Sequence, residues 1–144
     1  MGDKGIERRL CQRFKIPGAT ISYRKEKLLS TQVAFDEEFC PVLDLSRGGV
    51  RFLTQKPLKF KSKVVLQVSI PGERVPLNLK GRVRWSSFNP GKSYKYQAGV
   101  QFNPYGEEKN QNYPGALVKI IALEQKFIEP TNGDTTDKRS EFSI

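Results

Sequence analysis

The sequence predicts an all-β domain, an antiparallel barrel or sandwich, closed by one C-terminal helix. Three observations carry this. From Ala19 to Phe102 apolar and polar residues alternate in short runs, the two-residue period of half-buried strands. Compact turn signals separate the runs, where parallel strands would need long crossover connections. A helical period appears only after "NPYGEEKNQN".

Taken in order, residues 1–15 are polar and basic, with Lys4, Arg8, Arg9, Arg13 and Lys15 against Asp3 and Glu7. They read as a flexible N-terminal arm in which no buried face is expected. In "ATISY" the residues Ala19, Ile21 and Tyr23 share a face, and "FCPVLDLS" rises through Val42, Leu43 and Leu45 to a turn. "VRFLT" resumes beyond it, with Val50 and Phe52 on one face and Arg51 on the other. The intervening "SRGG" makes these two runs a hairpin, and Gly48 and Gly49 offer positive φ for its turn.

Val64, Leu66, Val68 and Ile70 share a face in "KVVLQVSI", which ends at the turn signal "PGE". "VPLNLKGRVRW" is the longest alternation. Val75, Leu77, Leu79, Val83 and Trp85 are expected inside, and Lys80, Arg82 and Arg84 form a basic outer face. "YKYQAGVQF" repeats the pattern with Tyr94, Tyr96, Ala98, Val100 and Phe102. The helix is expected to bring Leu117, Ile120, Ile121, Glu124, Phe127 and Ile128 near one face, with Asn112 as N-cap and Pro114 in the first turn. Residues 129–144, rich in charge, Gly, Thr and Ser, read as a disordered tail. The expected organisation is an arm over 1–15, one domain over 16–128 and a tail over 129–144.

Length and charge bound the function. A chain of 144 residues fits one domain with its own core. Twenty-five Lys and Arg against fifteen Asp and Glu give a net charge of +10, which favours an anionic partner. Histidine is absent, removing the commonest general base and neutral metal ligand, and no paired-carboxylate motif or phosphate-cradling loop before a helix takes its place. The sequence therefore points to binding and not to catalysis, with no cofactor. Cys11 and Cys40 form no C-x-x-C pair, and no apolar signal segment or membrane-spanning run accompanies them, so a reduced, cytoplasmic protein is expected.

Two motifs remain. "RRLCQRF" sets Arg8, Arg9 and Arg13 close together before the first strand, where guanidiniums repel one another unless an anion joins them. "DLSRGG" follows about thirty residues later in the hairpin turn. Together they resemble the PilZ domain family, recognised by R-x-x-x-R followed by D/N-x-S-x-x-G: Arg9 and Arg13 match the first motif, and Asp44, Ser46 and Gly49 the second. The resemblance runs from about Arg8 to Phe102 and includes "GRVRW" and "AGVQF".

The resemblance implies a six-stranded antiparallel barrel with a C-terminal helix, in a bacterial receptor that binds the second messenger cyclic di-GMP and signals through a protein partner. The chemistry of the motif suits that ligand. A guanidinium fork meets a phosphate or the O6 and N7 edge of guanine, and an aspartate accepts from the opposite edge, so Asp44 is expected to read guanine N1–H and N2–H. The arm would order around the ligand as phosphates neutralise its arginines. An arginine at position 8 implies two stacked cyclic di-GMP molecules per chain, whose crowded phosphates need an extra cation.

Each residue also has a plainer reading. Asp44 and Ser46 can cap the hairpin with Gly48 and Gly49, Arg47 can face water in place of a phosphate, and the alternation favours Trp85 in the core over guanine stacking at the rim. The rival function is a small barrel that binds single-stranded nucleic acid, opposed because Trp85, Tyr94, Tyr96 and Phe102 are expected on apolar faces.

Overall fold

A computed structural model describes residues 12–27, 34–91 and 93–128. The alternating runs form β1 (Thr20–Lys25), β2 (Glu37–Leu45), β3 (Gly49–Thr54), β4 (Lys63–Ser69), β5 (Leu77–Phe88) and β6 (Tyr96–Phe102), and helix α1 spans Pro114–Phe127. Every pairing is antiparallel, in the order β1-β2-β3-β6-β5-β4 with β4 paired back onto β1. That closure decides for a barrel over a sandwich, and it leaves no sheet edge open to another chain.

The period-2 logic holds through most of the wall. Ile21, Tyr23, Phe52, Val64, Leu66, Val68, Leu79 and Val83 all point inward and are 0–1 % exposed. Burying a side chain of this kind contributes roughly 1.5–3 kcal/mol, so these residues dominate the stability of the barrel. Ala116, Ile120 and Leu123 pack one face of α1 onto the same core. Leu117 and Ile121 are only half-buried, so the buried stripe is rotated from the expected one.

Four local expectations give way. Val75 precedes β5 and is 73 % exposed, because pairing with β4 begins only at Leu77. Asn112 does not cap α1: Tyr113 holds that position without a side-chain bond. Asn112 is buried instead, taking the Lys80 N–H at 2.7 Å and donating to the carbonyls of Lys80 and Asn103 at 3.0 Å, which ties the segment before α1 to β5.

Gly48 and Gly49 do not use positive φ, which among the described glycines occurs at Gly18 and Gly72. Gly49 is required by space, since a Cβ there would lie 2.5 Å from the Val100 carbonyl oxygen on β6.

The described end of the arm, finally, belongs to the barrel. Phe14 exchanges two 2.9 Å backbone hydrogen bonds with Leu45, and its side chain is 4 % exposed. The expectation of no buried face in this stretch is therefore corrected at Phe14. The expected tail, 129–144, lies outside the described residues.

Candidate ligand-binding cleft

The β2–β3 hairpin builds the site. Its turn is held by Ser46, whose N–H donates to the Gly49 carbonyl at 2.8 Å and whose Oγ accepts from the N–H groups of Gly48 and Gly49 at 3.2 and 3.1 Å. Ser46 is buried and fully engaged, so it is a turn-former that fixes the loop beside the cleft. Counting back from the turn, Leu45 pairs with Val50 and Asp44 with Arg51. Leu45 and Val50 face the core, which sets Asp44 and Arg51 on the outer face as a cross-strand pair of opposite charge.

Asp44 is buried beneath two arginines. Arg51 donates from Nε and Nη2 to Oδ2, the former at 2.9 Å, and Arg13 donates from Nη1 to Oδ1 at 3.1 Å. The hydrogen bond to Asp44 holds the Arg51 guanidinium yet more firmly protonated than usual. Arg13 reaches this point because Phe14 is pinned to Leu45 next door.

The opposite wall comes from β5 and β6. Between Val83, opposite Val100, and Trp85, opposite Gly99, the register slips by one residue. Such a bulge sends consecutive side chains to one side. Arg84 and Trp85 accordingly both line the cleft, and Trp85 is 37 % exposed, which corrects the expected core position. Gly99 makes room for the ring, since a Cβ there would collide with the indole. Arg84 also donates to Gln101 Oε1 across the strands.

The result is a cleft of about 340 Å³ lined by Arg13, Arg51, Arg84, Trp85, Gln101 and, from the turn, Ser46 and Gly48–Val50. Three guanidiniums share it with one adjacent carboxylate, so its charge favours an anion, and the half-exposed indole offers a flat surface for a base.

Not every expected residue gathers here. Arg47 points away: its Nε donates to Glu124 of α1 at 2.8 Å and its carbonyl accepts from Tyr105 OH at 2.7 Å, so it contacts neither bulk water alone nor the cleft. Arg8 and Arg9 lie outside the described residues. Arg51 and Arg84, by contrast, line the cleft although Arg51 lies outside both motifs and the sequence puts Arg84, with Lys80 and Arg82, on a basic outer face that reads as solvated surface or as a platform for an acidic partner or nucleic acid. Arg51 was legible by counting outward from the hairpin turn to Asp44, whereas Arg84 depends on a bulge that the alternation conceals.

A larger groove, about 490 Å³, lies between Glu73–Asn78 and the start of α1. Its lining is mainly apolar, Lys119 within it is paired with Glu73 at 2.5 Å, and Arg74 is its one guanidinium against the three of the smaller cleft.

Residues 7–117, well over half of the chain, match the family model of the PilZ domain. The chain belongs to the PilZ family. This is the family of cyclic di-GMP receptors, and the closed six-stranded barrel with its C-terminal helix is the architecture the resemblance implied. Among solved structures, the Bacillus subtilis inhibitor of motility, MotI/DgrA, is similar in fold, with a TM-score of 0.57 at 16 % identity. The match covers 83 % of this PilZ chain and 50 % of the neighbour, so the chain spans about half of that protein. No curated protein gives a significant match to the sequence. No helix among the described residues is long and apolar enough to cross a membrane, and no cluster of side chains among them is suited to a metal.

Proposed function

We propose that this PilZ domain binds cyclic di-GMP in the cleft between the β2–β3 hairpin and the β5–β6 wall, and acts as a receptor that passes the signal to a protein partner. The observation that carries the reading is the convergence of Arg13, Arg51, Arg84 and the outward-facing Trp85 around the Asp44–Gly49 motif. The arginines meet phosphates and the guanine acceptor edge, Asp44 Oδ1 meets the donor edge once Arg13 moves off it, and Trp85 stacks on a base.

Arg8 and Arg9 extend the cation set from the arm, and Arg8 favours two stacked ligands per chain. Signalling through α1 is supported by one ion pair and one shared cleft. Arg47, inside the motif, is paired with Glu124 of α1, and a cleft of about 440 Å³ brings Gln12–Lys15 beside Phe127 and Ile128 at the end of the helix. A ligand that re-aims Arg13 therefore acts next to the helix that a partner would read.

Calorimetric titration with cyclic di-GMP tests the reading, with GMP, GTP and an unstructured oligonucleotide as controls. Saturable binding at roughly −8 to −12 kcal/mol is expected for the dinucleotide alone. Trp85 is the sole tryptophan, so its fluorescence should change as the cleft fills. A ratio of two ligands per chain that falls towards one in Arg8→Leu supports the stacked pair. Equal affinity for the oligonucleotide would shift the assignment to nucleic-acid binding.

A further inference from the structure

The two arginines on Asp44 are not equivalent. Arg13 makes one contact, Nη1 to Oδ1 at 3.1 Å, and its side chain is 56 % exposed. Arg51 grips Oδ2 with Nε and Nη2, its side chain is 35 % exposed, and it stands on a strand paired along its whole length to β6. Among the described residues the Arg51 side chain makes no hydrogen bond other than those to Asp44, and it lines the cleft, which leaves Nη1 and the second Nη2 hydrogen to donate to a ligand there. Arg51 also lies beyond the motif glycine, outside both sequence signatures.

From this asymmetry we infer that Arg51 is a binding residue of the cleft, a fixed cation that Asp44 positions so that its outer edge meets a phosphate of the ligand. Arg13 is the exchangeable partner of the same carboxylate. A guanidinium held by two donors converging on one carboxylate oxygen loses little further freedom when a phosphate reaches its other edge, whereas a single exposed contact is readily traded. Asp44 thus has two separate tasks on its two oxygens: Oδ2 anchors Arg51 throughout, and Oδ1 is released by Arg13 to accept from the ligand. Retaining Arg51 also keeps the buried carboxylate paired while Arg13 leaves, which avoids stranding an uncompensated charge.

The inference rests on the proposed cyclic di-GMP reading and is tested on the full chain with that dinucleotide as probe. Wild type, Arg51→Met, Arg51→Lys, Asp44→Ala and the double variant Asp44→Ala/Arg51→Met are titrated at low and high salt, with thermal melts of the free proteins alongside. Arg51→Met should lose roughly 10- to 100-fold in affinity and show a weaker salt dependence than wild type. Arg51→Lys, which keeps the charge but not the fork, should recover part of the loss and the salt dependence. The double variant should lose less than the product of the single losses, because Asp44 acts partly through Arg51.

Wild-type affinity in Arg51→Met overturns the inference and leaves the cyclic di-GMP reading standing. A loss that tracks melting temperature with unchanged salt dependence also overturns it by reducing Arg51 to a structural role, and strictly multiplicative losses overturn it by showing that Asp44 does not position Arg51. Absence of binding in wild type removes both.

Discussion

Strand β2 carries a hydrogen-bonded carboxylate at each end, and the two are satisfied in opposite ways. Asp44, near its C-terminal end, is held by the charged side chains of Arg13 and Arg51. Glu37, at its start, is held by neutral groups built into the frame: the Tyr23 hydroxyl, the Cys40 thiol at 3.9 Å, and the backbone N–H groups of Gln55 and Lys56 at 2.9 and 3.2 Å. Those donors knit β1, β2 and the segment after β3 into one end of the barrel. They cannot leave without opening the wall. Arginine side chains that face water can be re-aimed at modest cost, so a carboxylate with arginine partners is poised for exchange, and one with frame donors is structural.

The contrast can be broken most sharply at Glu37. Glu37→Ala should cost about 3 kcal/mol of stability, since the Tyr23 hydroxyl loses its acceptor in the barrel wall and the neighbouring donors are left to water. Ligand affinity should stay within about twofold of wild type. Denaturant unfolding paired with titration reads both quantities, and a large affinity loss at unchanged stability would reverse the assignment.

Asp44→Asn should show the inverse. About 2 kcal/mol of affinity is expected to go, the range of one charge-assisted hydrogen bond, with a smaller change in stability. If its melting temperature fell as far as that of Glu37→Ala while binding survived, Asp44 would be a structural carboxylate like its counterpart.

The neutral network also sets a pH dependence. Burial, with the Glu37 carboxylate beside it, pushes the Cys40 thiol from 9.0 up to about 12, and burial together with its hydrogen bond to Glu37 pushes the Tyr23 hydroxyl above its usual 10.0. Both groups keep their protons in the folded state while the unfolded chain gives them up. Stability should therefore be full below about pH 9 and decline as the pH rises towards 12. Urea midpoints taken across this range should fall less steeply in Cys40→Ala, and an identical slope would remove Cys40 from the account.

The smallest effect is expected where a motif residue turns away from the cleft. Arg47→Ala should cost about 1 kcal/mol of stability through the lost pair with Glu124, with cleft affinity nearly unchanged. A tenfold loss of affinity would mean that the hairpin and α1 are coupled more tightly to the cleft than one ion pair conveys.

Much of this molecule follows from local pattern. The two-residue alternation located five of the six strands, because each wall residue faces either the core or the outside and its neighbours along the chain must do the opposite, and β2 was legible as an apolar run rising to the hairpin turn. The hairpin at "SRGG" and the opposition of Asp44 to Arg51 likewise follow from counting along one short stretch. The R-x-x-x-R and D-x-S-x-x-G spacings were enough to indicate the family. What needed tertiary structure is whatever depends on a partner distant in sequence or on a break in the period. One extra residue in β5 moves Trp85 from the core side to the cleft, since a slip of one position inverts the facing of a strand. Arg47 finds Glu124 from 77 positions away, Asn112 gives up a cap to bridge β5 to the segment before α1, and Phe14 turns the end of a basic arm into barrel wall. Closure itself belongs to this second group, because the pairing of β4 back onto β1 is a contact between chain segments that no local period encodes.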